Sequence, residues 1–420
     1  MDEKFLYHIW KFKLFNTLNL KTTTGEAIEI IKPGNLQFDS GPDFFNAQIK
    51  INNTLWAGNV EIDMYASDWI NHKHHKDAAY NKIILHVVYE VNKPVAHNVP
   101  VLELKKYIHS SILENYATLK NESASFPCHN EIAKVESIVI NSWLERMLTE
   151  RLEKKTAEIN IALQHNKNNW EETFYHFMAK NFGFKTNSLP FELVAKSIPL
   201  SVFAKHKNNL LQIEAMLFGA AGMLDTNCSN DYFLSLKKEY HFLKGKFNLT
   251  SIDKSLWKFL HLRPANFPTI RISQFAALVY NSTHLFSKIL EIKKPHDLHE
   301  LLNISASAYW NNHYTFGKES GNSIKDLGTN AINLIVINTV VPFLFLYGKA
   351  HSNMHYINRA FSFLENLSAE KNIITKKYTG AGLQINTAWQ SQAVIELYNN
   401  YCSNKKCLDC AVGLKILNKS

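Results

Sequence analysis

The sequence predicts an α/β core of αβββαβ order over residues 1–125, followed by a large all-α domain over residues 126–420. Three observations lead there. Short strand-like apolar runs predominate up to residue 125. Beyond it, apolar residues recur at helical spacing almost to the end. Between the two, Asn121-Glu-Ser-Ala-Ser-Phe-Pro127 is a polar break with a helix-stopping proline.

Within the first part, Lys4 to Asn16 reads as a helix, with Phe5, Ile9, Trp10 and Leu14 near one stripe. Ala27 to Ile31 is a short strand ended by Lys32-Pro33-Gly34. Phe45 to Ile51 and Thr54 to Asp63 alternate in period two around Asn52-Asn53, the pattern of a hairpin with a two-residue turn. Ser67 to Asn81 is polar and helical, with Ser67 or Asp68 as N-cap. Ile83 to Val91 is almost continuously apolar, as a strand buried on both faces requires. A further short strand falls at Val99 to Leu104. In the second part, helices are expected at Ser137 to Leu163, Trp170 to Asn181, Leu210 to Leu224, Ser273 to Ile292, Ala331 to Tyr347 and Ser391 to Tyr401. No repeat of solenoid length recurs.

Composition narrows the function. With 46% hydrophobic and 20% charged residues, the chain is not a largely disordered one. Five cysteines in 420 residues exclude a secreted disulfide scaffold and fit a reducing compartment. The N-terminus carries acids where a signal peptide needs an apolar core. Ala331 to Gly348 is membrane-like in hydropathy, but it holds Asn333, Asn338 and Pro342 and reads as a buried core helix. A soluble, cytoplasmic protein with no membrane partner is expected. The net charge of +9 permits an anionic partner without requiring one.

The chemistry concentrates on the hairpin. Asp43 starts its first strand, and Glu61 and Asp63 lie near the end of its second. An antiparallel pairing brings these ends together, and residues two apart share a face. Two or three carboxylates then reach one hard divalent cation, Mg²⁺ or Mn²⁺. Plain turn and surface roles fit Gly41-Pro42-Asp43 and Glu61-Ile62-Asp63 as well.

Pro42-Asp43, Glu61 and the αβββαβ order resemble the PD-(D/E)XK nuclease superfamily, whose core is restriction-endonuclease-like. The resemblance implies catalytic and metal-binding roles for Asp43 and Glu61. The superfamily's lysine position holds Asp63, which questions the detailed mechanism or activity itself.

Ser67 to Tyr80 follows directly and holds His72, His74, His75 and Asp77. On a helix His72 and His75 share a face. His72 or His74 is a candidate proton carrier in place of the lysine. A zinc site of His72, His74, Asp77 and His86 is the alternative, and His86 alone reads as a hydrogen-bonded core residue.

At the end of the chain, Cys402, Cys407 and Cys410 form C-x₄-C-x₂-C. This spacing suits zinc or an iron–sulfur cluster, with Cys128 as fourth ligand ahead of Cys228. Arrangement alone is similar to that of iron–sulfur nucleases. Arg263-Pro-Ala-Asn266-Phe-Pro268, followed by Arg271 and Gln274, reads as a structural corner, or as a phosphate grip.

Asn35 to Asp43, Gly58 to Ile62, Asp68-Trp69 with His72 and His74, Arg263 to Pro268 and the terminal cysteines together resemble domain-of-unknown-function family 2851, found mainly in Bacteroidetes. Members tend to carry His where this chain has Asp63. The resemblance implies a bacterial protein and no activity. The first expectation is a metal-dependent nuclease acting on DNA or RNA. The alternatives are an inactive nucleic-acid-binding protein on the same core and a protein-interaction scaffold.

Overall fold

A computed structural model describes residues 2–418 except 38, 39, 96, 122–124 and 283. Asp39 of the Asn35–Asp43 motif therefore lies outside the described residues. The first helix, α1 (Glu3–Lys11), is capped by the Asp2 carboxylate and buries Phe5, Leu6, Ile9 and Trp10. It ends before the expected Asn16 because Lys13 takes a left-handed φ of 51°. Next come β1 (Ile28–Lys32), β2 (Asn35–Leu36), β3 (Phe44–Ile51) and β4 (Thr54–Tyr65). After β4 the chain makes a short helix, α2 (Asp68–Asn71), and returns through β5 (Ile83–Glu90) and β6 (Val101–Glu103).

The sheet order is β1-β3-β4-β5-β6, with β2 beside β3. Pairing is antiparallel from β1 to β4 and parallel from β4 through β6. The hairpin turns at Asn52-Asn53, where Asn52 supplies the left-handed φ a tight turn needs (50°). β5 is buried over most of its length, as its apolar run predicts. The N-terminal region is thus a mixed sheet with helices, and the later region is helical.

The chain divides into two compact units. One comprises Met1–Glu145, Lys376–Leu383 and Glu396–Ser420; the other Arg146–Thr375 and Gln384–Ile395. A single boundary near residue 125 does not describe this division. Residues 126–145 and the C-terminal segment pack with the sheet unit, since the terminal helix Ala411–Leu417 lies against α3 (Ser110–Asn121). There Asn115 donates to the Leu417 carbonyl at 3.4 Å.

The other unit contains most of the remaining helices, including Trp170–Phe182, Leu210–Ala220 and Pro268–Asn281. The expected Ser273–Ile292 helix is two helices, broken where His284 has φ of 56°. Thr329–Ala350 is long and apolar enough to cross a membrane by length and composition, but 78% of its apolar window is buried within the fold. Its π-helical segment Val336–Val340 precedes Pro342, where a regular ladder has no donor to offer.

Candidate functional site

Glu61 and Asp63 project from the buried end of β4, exposed by only 4% and 2%. Their depth follows from the parallel neighbour, since Glu61 lies opposite His86 on β5. Gly58 permits this approach: a Cβ there would meet Ile84 Cγ2 at 2.4 Å and the Lys82 carbonyl at 2.7 Å. Asp43 immediately precedes β3, whose register with β4 shifts between Phe44 and Ala47 where Asn46 has φ of 58°. The two acids are held by each other's backbone. The Asp43 N–H donates to Glu61 Oε2 at 3.2 Å, and the Ile62 N–H donates to Asp43 Oδ2 at 3.0 Å.

The histidines do not lie on one helix. After α2, Lys73 takes a left-handed φ of 63°, and two short 3₁₀ turns follow, His74–Lys76 and Ala78–Lys82. That kink turns His72 and His74, rather than His72 and His75, toward the strand carboxylates. His72 Nδ1 is 3.1 Å from Asp63 Oδ1, and His74 Nε2 is 3.1 Å from Glu61 Oε1. His75 is exposed, and Asp77 caps the second turn by accepting from the Ala79 N–H at 2.9 Å. Asp77 therefore stands apart from the cluster. His86 is a buried, hydrogen-bonded histidine, but its partners belong to the site: Nε2 lies 3.0 Å from Asp63 Oδ2, and Nδ1 lies 3.0 Å from His97 Nε2. Trp69 packs its ring against His86, His97 and His74.

Burial sets the electrostatics. It pushes the Asp43 carboxyl up to about 7 and that of Glu61 up to about 8, and neighbouring carboxylates add to the rise. Burial and the neighbouring His86 hold His97 down, at about 4. Without a cation, Asp43 and Glu61 therefore share retained protons at neutral pH.

Several contributors were not legible in the sequence. Tyr7 of α1 faces the Asp43 carboxyl, and burial together with that carboxylate pushes its phenol up. Tyr80 stacks on His74 with centroids 4.1 Å apart, and His97 comes from the loop after β5. The one available signal was Tyr7 standing among the stripe residues of α1 on a helix expected beside the sheet.

The donor set suits a divalent cation. Donor atoms of Asp63, His72 and His74 lie within 4.8 Å of one another. His74 Nε2 is buried and makes no well-directed hydrogen bond despite its 3.1 Å distance from Glu61. Carboxylate oxygens alone fit Mg²⁺, whereas the imidazoles shift the preference toward Mn²⁺.

The cysteines form a second cluster in the sheet unit. Cys128, Cys402 and Cys410 are buried and Cys407 half-buried, and all are free thiols. Burial pushes the Cys128 thiol up, and the other three cysteines add to the rise. Burial pushes Cys402 and Cys407 up to about 12. Cys228, the other candidate, lies in the helical unit beside Gly317. The Arg263–Gln274 segment is a corner: Arg271 is buried and donates to Asn266 Oδ1 at 2.6 Å and Gln274 Oε1 at 2.9 Å. Arg263 is exposed.

No curated protein and no solved structure matches this chain. One family model does, over residues 3–373, a span that holds both the carboxylate site and Cys128 but stops short of Cys402. The chain belongs to the family described as Protein of unknown function (DUF2851).

Proposed function

We propose that this protein is a metal-dependent phosphodiesterase that cleaves nucleic acid, DNA or RNA, on a PD-(D/E)XK-like core. The supporting observation is the convergence of Asp43, Glu61 and Asp63 beneath His72 and His74, at the junction of an antiparallel hairpin and a parallel strand. Asp43, Glu61 and Asp63 would hold Mg²⁺ or Mn²⁺, with His74 as nitrogen donor. Such a cation lowers the pKa of water and neutralises charge developing on a phosphate.

The chain's own groups have separate tasks. His72, with its side chain 47% exposed, is the group placed to pass a proton between Asp63 and solvent. His74 places a nitrogen donor 3.1 Å from the Glu61 carboxylate, and His86 orients Asp63 from the opposite side. Tyr7 supports Asp43 from α1. The net charge of +9 agrees with a polyanionic substrate.

A core that binds nucleic acid without cleaving it is the second reading. Asp63 in the lysine position favours it. Purified protein is assayed with Mn²⁺ or Mg²⁺ on single- and double-stranded DNA and RNA. Cleavage by wild type that is lost in Asp43→Ala and Glu61→Ala supports hydrolysis. Salt-dependent binding without turnover, unaffected by Asp43→Ala, establishes the second reading instead.

A further inference from the structure

Tyr378 joins the two cysteine-bearing segments of the sheet unit: its hydroxyl meets Cys402, and its ring stacks on Phe126, two residues before Cys128, with centroids 4.4 Å apart. Cys128 comes from the turn that follows Phe126-Pro127, where the Ile132 N–H donates to its carbonyl at 2.8 Å. Cys402 ends the π-helical segment Tyr398–Cys402, and Cys407 opens a single 3₁₀ turn that Cys410 caps. Gly413 lets that turn seat on the terminal helix, since a Cβ there would meet the Cys407 carbonyl at 2.2 Å.

Hydrogen-bond donors are aimed at the sulfurs. The Tyr378 hydroxyl, fully buried, lies 3.1 Å from Cys402 Sγ. The Val412 and Gly413 N–H groups face Cys410 at the start of the terminal helix. Donors of this kind stabilise metal-bound thiolates. Four thiols packed as small apolar groups need no such donors.

Spacing separates the metal classes. A tetrahedral zinc site with Zn–S of about 2.3 Å puts its sulfurs about 3.8 Å apart. Among the described residues, the metal-ligand atoms that gather within 4.8 Å of one another in threes belong to Asp63, His72 and His74 and to His296, Asp297 and Glu300, and include no cysteine sulfur. Sulfurs not gathered that tightly suit the separated thiolates of a multi-iron cluster.

We propose that Cys128, Cys402, Cys407 and Cys410 ligate an iron–sulfur cluster that clasps the C-terminal segment to the turn at Cys128. This is independent of the carboxylate site and of any nuclease activity.

The test uses the full chain purified without oxygen, analysed for iron, acid-labile sulfide and zinc together with its visible absorbance. Iron and sulfide in equal amounts, with charge-transfer absorbance, support the proposal. Stoichiometric zinc in a colourless protein overturns the cluster, and metal-free protein overturns the site altogether. Cys128→Ser and Cys410→Ser should lose the iron, whereas Cys228→Ser and Asp43→Ala should keep it. Iron retained in Cys128→Ser also overturns the assignment. The wild-type metal content stands even where a serine variant fails to fold.

Discussion

Glu61→Gln, compared with wild type across pH in the presence of a chelator, isolates the energetics of the carboxylate site. In the unfolded chain Asp and Glu ionise near their ordinary values of 3.8 and 4.5, whereas the folded site holds its protons to about 7 and about 8. Between those limits the native state binds more protons than the unfolded one. Stability conferred by the site is therefore full at low pH and is lost as pH rises toward 8. Each tenfold change in ionisation is worth about 1.4 kcal/mol, which sets an upper bound of about 5 kcal/mol for Glu61. Asp43 and Glu61 share one repulsion, and the site relaxes as it charges, so about 2 kcal/mol is the expected net loss. Glutamine keeps the shape and removes both the charge and its repulsion on Asp43. The variant should match wild type near pH 4 and exceed it by about 2 kcal/mol near pH 8.5, about 4–8 °C in Tm. Added Mn²⁺ should close the gap at the higher pH by stabilising wild type alone. The readout is chemical or thermal unfolding followed by circular dichroism. Parallel pH profiles for the two proteins would refute the reasoning.

Three further substitutions probe other parts of the account. His86→Ala removes a buried partner of Asp63 and should weaken Mn²⁺ binding about 10- to 100-fold, measured by titration, with the fold intact by circular dichroism. Gly58→Ala forces a Cβ into Ile84 and the Lys82 carbonyl and should cost about 1–3 kcal/mol in denaturant unfolding. Arg271→Met abandons Asn266 and Gln274 at the helical corner; a loss of about 2–3 kcal/mol is expected, with Mn²⁺ affinity unchanged.

What the sequence disclosed follows the range of the interactions involved. The hairpin was legible because period-two alternation around Asn52-Asn53 is a local signal, and it alone places Asp43 beside Glu61. The histidine segment was not, since its outcome turns on Lys73 adopting a left-handed φ that lysine does not advertise. The same holds for the helix break at His284. Tyr7 and His97 reach the site only through tertiary packing, which no spacing rule captures. The cysteines show both sides. Their spacing marked Cys402, Cys407 and Cys410 as a set with Cys128, yet the resulting return of the C-terminus to the sheet unit was missed as a domain boundary. That boundary depends on contacts between distant segments, which composition near residue 125 does not record.

The most direct measurement of the central claim is Mn²⁺ binding to the full chain, followed by electron paramagnetic resonance of the free ion at pH 8. The account predicts one Mn²⁺ site in wild type, lost in Asp43→Ala and Glu61→Gln and weakened in His74→Ala. Equal Mn²⁺ binding by wild type and both carboxylate variants would contradict it.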